Sequence, residues 1–229
     1  MRAPRMRVAC LGMSQTGVLL ARGMNRAGHQ VNFVAGLPEE GYDAIILAVD
    51  RQKLPRAVAA VEPHVRRGQI VIHTCLTEGV QVLDDLEVHG AVVVAMSPVS
   101  LKRWAVTTVD ELGSTIAELI LGEMGAVAVP KTDAERAPLA VYLAHTLMLD
   151  FLARAAVENV QDMIHAPVEE DRGLEEPFWA PVDPNTVMDV VDTIHDPGLL
   201  RYFVDTARRY AELTGDAELE MWVMQREQP

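Results

Sequence analysis

Gly12-Met13-Ser14-Gln15-Thr16-Gly17 has the spacing G-x-S-x-x-G, which carries a specific chemistry where it joins a strand to a helix. The first glycine permits a tight turn, a small middle residue lets a pyrophosphate reach the backbone, and the last glycine lets helix and strand pack closely. The phosphates then meet free N–H groups at a helix N-terminus, and the Ser14 hydroxyl can add a donor. Further polar residues stand where apolar runs stop: Asp50 after DAIILAV, His73 and Thr74 at the close of QIVIHT with Cys75 behind them, and Ser97 after AVVVAM. His73 reads either as a proton donor to a carbonyl or imine, or as a strand-end histidine bonded to backbone. Thr74 can place a carboxamide through its hydroxyl, and Ser97 can bond a substrate. Cys75 reads as an inert thiol unless its pKa is depressed. His145, inside the apolar stretch Ala137–Val157, is a second proton-transfer candidate or a satisfied core histidine.

Such groups need a scaffold that gathers them. Apolar runs at Arg7–Leu11, Val31–Val34, Asp43–Val49, Gln69–Thr74, Ala91–Met96, Trp104–Val109 and Ala126–Pro130 read as strands, with helical segments between most of them. That alternation predicts an α/β fold with a Rossmann-type parallel sheet. Ligands of such sheets bind outside the carboxyl ends of the strands. Ala48, Val49, Asp50 and Thr74 are therefore expected beside the nicotinamide end of a dinucleotide, with Gly12 to Gly17 on its pyrophosphate. Strand signals stop after Thr132. A long helix is predicted from about Asp133 to Ile164, then an acidic, Pro-rich loop over 165–181 containing Phe178 and Trp179. Asp183-Pro184 and Asp196-Pro197 each read as a helix start, with Asp as N-cap and Pro at the first position. A last helix is expected near Ala217 to Met224. The organisation expected is residues 1–130 as the dinucleotide-binding domain and 131–229 as an all-helical C-terminal domain for substrate and dimerisation.

The layout resembles the superfamily of pyrroline-5-carboxylate reductase, prephenate dehydrogenase and 6-phosphogluconate dehydrogenase, and most of all a branch joining a Rossmann-like domain to a helical domain of unknown function. The Gly12–Gly17 turn with Ala27-Gly28-His29, the strand Asp43–Asp50, and the pairs His73-Thr74 and Ser97-Pro98 carry the likeness over roughly the first 160 residues. Cys75 and Leu76 stand where that branch has serine and glycine, Ser97 replaces a histidine, and the catalytic lysine of the hydroxyacid dehydrogenases has no counterpart. The resemblance implies hydride transfer between NADP or NAD and a C=O or C=N group of a small metabolite. It also implies a homodimer through the C-terminal helices and substrate contacts from the His145 helix. No acid follows the second strand before Glu39, which tilts the expectation towards NADP. Two rivals stay open: a sensor or accessory protein that binds a nucleotide or metabolite without turnover, and a non-redox enzyme on the same fold.

The 229 residues carry a net charge of −13, which argues against nucleic-acid partners and against docking on anionic membranes. The two cysteines, Cys10 and Cys75, suggest neither a disulfide framework nor a zinc site. The basic start is followed by too short an apolar run for a signal peptide, and a soluble cytoplasmic protein is expected. Asp150 and Arg154 interrupt Ala137–Val157, so it reads as a buried core or interface helix rather than a membrane span. Asp189, Asp192, His195 and Asp196 form an acidic cluster in which Asp192 and His195 share a predicted helix face. A solvated face fits it better than a metal site.

Overall fold

The computed structural model describes residues 5–36, 41–165 and 182–226. The chain divides into two compact units, Met1–Arg136 and Ala137–Pro229.

The first unit is built on a seven-stranded sheet in the order β2-β1-β3-β4-β5-β6-β7. β1 (Arg7–Gly12), β2 (Gln30–Val34), β3 (Ala44–Ala48), β4 (Ile70–His73) and β5 (Val92–Ser100) run parallel. Strand β3 is buried along its whole length, as a central strand covered on both faces must be. Alternate residues feed the two faces. Ala44, Ile46 and Ala48 pack with α1 (Gln15–Ala27) and α4 (Glu111–Glu123), while Ile45 and Leu47 pack with α2 (Leu54–Val61) and α3 (Asp84–Val88). Strand order reverses at β1, between β2 and β3, the place where an open α/β sheet leaves a crevice at its carboxyl end.

The expected Rossmann-type parallel sheet is present, with one reversal of direction beyond β5. β6 (Arg103–Thr108) runs antiparallel to β5, and β7 (Val127–Pro130) lies parallel to β6. Only Leu101 and Lys102 separate β5 from β6, too few residues for a crossover, so the chain must turn back on itself. β5 also runs four residues past Met96, through Pro98. Its pairing with β4 ends at Ala95, so the missing N–H of Pro98 removes no bond on that side, and a bulge between Pro98 and Ser100 absorbs the irregularity.

Helix α5 spans Asp133–Ile164, and its residues from Ala137 onward belong to the second unit, which also holds α6 (Pro197–Thr214) and α7 (Ala217–Arg226). Pro138 is tolerated because it lies near the N-terminus of α5. Asp183 and Asp196 both cap as expected, Asp196 accepting the Gly198 and Leu199 N–H groups at 2.7 and 2.9 Å. The segment after Asp183, however, winds as a 3-10 turn over Pro184–Thr193, and Ile194 is already extended. Asp192 and His195 therefore do not share a helix. Asp192 instead accepts two bonds from Arg226, at 2.6 and 2.8 Å, and Arg226 stacks over Trp222. Asp150 and Arg154 pair at 2.9 Å, as their spacing predicts. Phe178, Trp179 and the 166–181 segment lie outside the described residues.

Candidate functional site

At the carboxyl end of β1 the backbone enters the glycine turn. Gly12 sits at φ +95°, a conformation L side chains rarely adopt, and a Cβ there would strike the Ala48 carbonyl oxygen. A Cβ on Gly17 would collide with the Ala48 side chain, so this glycine is needed for close approach between α1 and β3. Ala48 must likewise be small, and its carbonyl receives the Ser14 N–H at 2.8 Å. The Ser14 side chain caps α1, accepting the Gly17 N–H at 3.3 Å. The helix consequently begins at Gln15 and aims its first N–H groups out of the turn. Met13 is exposed and Val49 half-buried. Asp50, also exposed, pairs with Lys53 at 3.0 Å. The turn is thus a tight backbone cradle, built from Gly12, Met13, Ser14, Gln15, Thr16 and Gly17.

Behind the cradle the strand ends are tied together. Thr16 Oγ1 lies 3.2 Å from both the carbonyl and the hydroxyl oxygen of Thr74. Ser97 Oγ donates to the same Thr74 carbonyl at 2.9 Å. Arg136, a residue the sequence reading missed, anchors this group. It is wholly buried, and its guanidinium donates to Ser97 Oγ at 3.0 Å, Thr107 Oγ1 at 3.3 Å, and the carbonyls of Cys75 (3.1 Å), Ala95 (3.4 Å) and Glu78 (2.5 Å). Burial lowers its pKa to about 10, against the attraction of Asp133, so it stays a cation at neutral pH. Asp133 accepts the Val80 N–H at 2.8 Å and fixes the same loop from the other side. Nothing in the sequence marks Arg136, because an arginine in the first turn of a helix ordinarily faces water.

His73 departs from the expected proton donor. It is fully buried, Nε2 lies 2.9 Å from the Gly79 carbonyl, and Nδ1 is buried without a partner. A carbonyl can only accept, so Nε2 carries the proton and the ring is neutral. Burial, with the Arg136 charge beside it, lowers its pKa to about 3. An imidazole so placed holds the β4–α3 loop and does not exchange protons near neutral pH. Thr74 and Ser97 are buried as well, and Ser97 has both its donor and an acceptor position engaged within the protein. Cys75 donates from Sγ to the Val49 carbonyl at 3.1 Å; burial, then the carboxylates of Glu78 and Asp50, push its pKa up to about 12, so it remains a thiol.

In the second unit His145 Nε2 lies 3.1 Å from Thr206 Oγ1, and the ring meets Tyr202 and Phe203 edge-on. The Thr206 hydroxyl donates to the Tyr202 carbonyl at 2.7 Å, so the bond from His145 runs from Nε2–H to the hydroxyl. Burial lowers the pKa of His145. Tyr142, one turn earlier, is exposed.

Residues 38–98 match a family described as a Rossmann-like domain, and residues 132–226 one described as 6-phosphogluconate dehydrogenase C-terminal domain-like. No curated protein sequence matches the chain. Among solved structures, Mycobacterium tuberculosis 3-hydroxyisobutyrate dehydrogenase with L-serine is similar at a TM-score of 0.60 and 16% identity, over 98% of this chain and 100% of that one. A putative NADP oxidoreductase from Bacteroides fragilis gives 0.58 and 12%, over 91% and 98% of the two chains. Prephenate dehydrogenase from A. aeolicus, solved with hydroxyphenyl propionate and NAD+, gives 0.55 and 12%, over 97% and 87%. Such identities establish the fold alone. The two family matches thus cover successive parts of the chain, a Rossmann-like domain followed by a region like the 6-phosphogluconate dehydrogenase C-terminal domain.

Proposed function

We propose that the protein is a nicotinamide-dependent oxidoreductase that reduces, or forms, a C=O or C=N group of a small metabolite. The observation that carries this is the glycine turn, where Gly12 and Gly17 have no room for a side chain and Ser14 caps the helix. Gly12 to Gly17 would hold the pyrophosphate, and Ala48, Val49, Asp50 and Thr74 would face the nicotinamide half. The bound cofactor supplies the hydride. The protein's part is to hold the phosphates on the first N–H groups of α1 and keep Thr74 in place through Thr16 and Ser97. NADP is favoured over NAD, because Val34-Ala35-Gly36 at the end of β2 offers no carboxylate for a ribose 2′-hydroxyl.

The second reading, a protein that binds a dinucleotide or metabolite without turning it over, has an observation in its favour: His73 and Ser97 are buried and committed to bonds inside the protein. Titration with NADPH and NADH, followed by heat or fluorescence, tests the shared part of both readings. A micromolar dissociation constant supports them, and absence of binding up to about 1 mM, near −4 kcal/mol, overturns them. Oxidation of bound NADPH by a ketone or imine panel then separates enzyme from sensor.

The proposal extends to assembly as a homodimer. Helix α5 is long and apolar enough to cross a membrane, yet only 28% of its most apolar window is buried. Its exposed Tyr142, Ala153, Ala156 and Val160 recur at helical spacing, as a face covered by a second copy would. The Asp150–Arg154 pair and the net charge of −13 favour a protein partner in the cytoplasm over a lipid or nucleic-acid one.

A further inference from the structure

The amino ends of β1, β3 and β4, at the other end of the sheet from the glycine turn, surround a cavity of about 520 Å³ lined by Arg5, Tyr42, Asp43, Arg66, Arg67 and Gln69. All of these residues lie in the first unit. The cavity is built rather than incidental. Gln69 is 7% exposed and clamps it: its Oε1 accepts the Arg66 N–H at 3.1 Å and its Nε2 donates to the Tyr42 carbonyl at 3.0 Å. Arg66 Nη2 donates to the same carbonyl at 2.7 Å, and Gln69 N–H closes the turn onto the Arg66 carbonyl at 3.0 Å. The Arg5 guanidinium is held by the Ala27 carbonyl at the end of α1.

These carbonyl partners fix the arginines without neutralising them. Among the described residues no carboxylate forms an ion pair with Arg5, Arg66 or Arg67, and Asp43 turns one oxygen to the Arg7 N–H at 2.7 Å. Among the described residues Asp43 is the one carboxylate in the lining, so three guanidinia outnumber it there, and in a chain with net charge −13 such a local excess of positive charge favours an anion. Guanidinium forks match phosphate oxygens in pairs, and the volume lies within the range of small-molecule sites. We propose that this cavity binds a phosphorylated small molecule, with its phosphate or pyrophosphate between the guanidinia of Arg66 and Arg67 and that of Arg5. The site is separate from the dinucleotide turn and does not depend on the oxidoreductase reading.

The test is a titration of the full-length protein with inorganic pyrophosphate, following backbone amide NMR shifts at Arg66–Gln69 and, separately, at Gln15–Gly17. Saturable shifts at Arg66–Gln69 are expected. Arg67→Gln should weaken them about tenfold or more, Arg67→Lys by less, since it keeps the charge but loses the fork, and neither should move the Gln15–Gly17 response. Arg67 is exposed, and a dispersed spectrum will show that the variants fold. No saturation at Arg66–Gln69 up to about 10 mM overturns the proposal. So does an equal response to acetate, or an affinity that Arg67→Gln leaves unchanged. Shifts confined to Gln15–Gly17 overturn it too, and leave the dinucleotide reading standing.

Discussion

Arg136 and His73 govern the behaviour expected of single residues. Replacing Arg136 by methionine leaves the carbonyls of Cys75, Glu78 and Ala95 and the hydroxyl of Ser97 without their donor in a buried place. That should cost about 3 kcal/mol or more in denaturant unfolding. NADPH affinity should fall with it, because Ser97 then loses the bond that fixes it against Thr74. An unfolding free energy within error of wild type would show that the guanidinium is not the anchor described. His73 gives a pH signature. Its folded pKa, about 3, lies below the ordinary 6.5, so the unfolded chain takes up its proton first and stability is lost as pH falls through that window. The loss should reach about 2 kcal/mol between pH 6.5 and 5. His145, also lowered, acts in the same direction. His73→Gln should flatten much of the slope, and a wild-type stability constant across this range would contradict the neutral, buried assignment.

At the scale of elements, the β1–α1 turn should tolerate least. Gly12→Ala combines a left-handed φ with a clash against backbone and should cost about 2–4 kcal/mol. Dinucleotide binding should be lost even where the variant folds, a result that calorimetry with NADPH would record. For helix α5, Val160→Glu should halve the mass seen by light scattering if the exposed face is the dimer contact, and an unchanged dimer mass would place the interface elsewhere. Much of this layout was legible beforehand. The strand-turn-helix around Gly12–Gly17, the span of α5 and the caps at Asp183 and Asp196 follow from local chemistry that each segment carries in itself. The reversal of β6 and β7 was not legible, because Pro98 reads as the end of a strand. Only the pairing partners, absent on one side beyond Ala95, show why β5 can continue. The candidate site divided in the same way. The geometry of the glycine turn is local and was legible. The burial of His73 and Ser97 and the role of Arg136 arise from long-range contacts that periodicity does not encode.

For the molecule as a whole, ligand linkage offers the simplest check. A dinucleotide that binds only the folded chain should stabilise it by about 2.7 kcal/mol at a hundredfold excess over its dissociation constant, visible as a rise in melting temperature. The two outer borders of the sheet carry a different consequence. β7 closes its side with Pro130, which has no N–H to offer a newcomer. β2 closes the other side with five residues, no proline, and Phe33 half-exposed. Sheet-to-sheet stacking between molecules, whether in a concentrated stock or on partial unfolding, should therefore start along Gln30–Val34, and a lysine in place of Phe33 is the change by which a preparation would be kept clear.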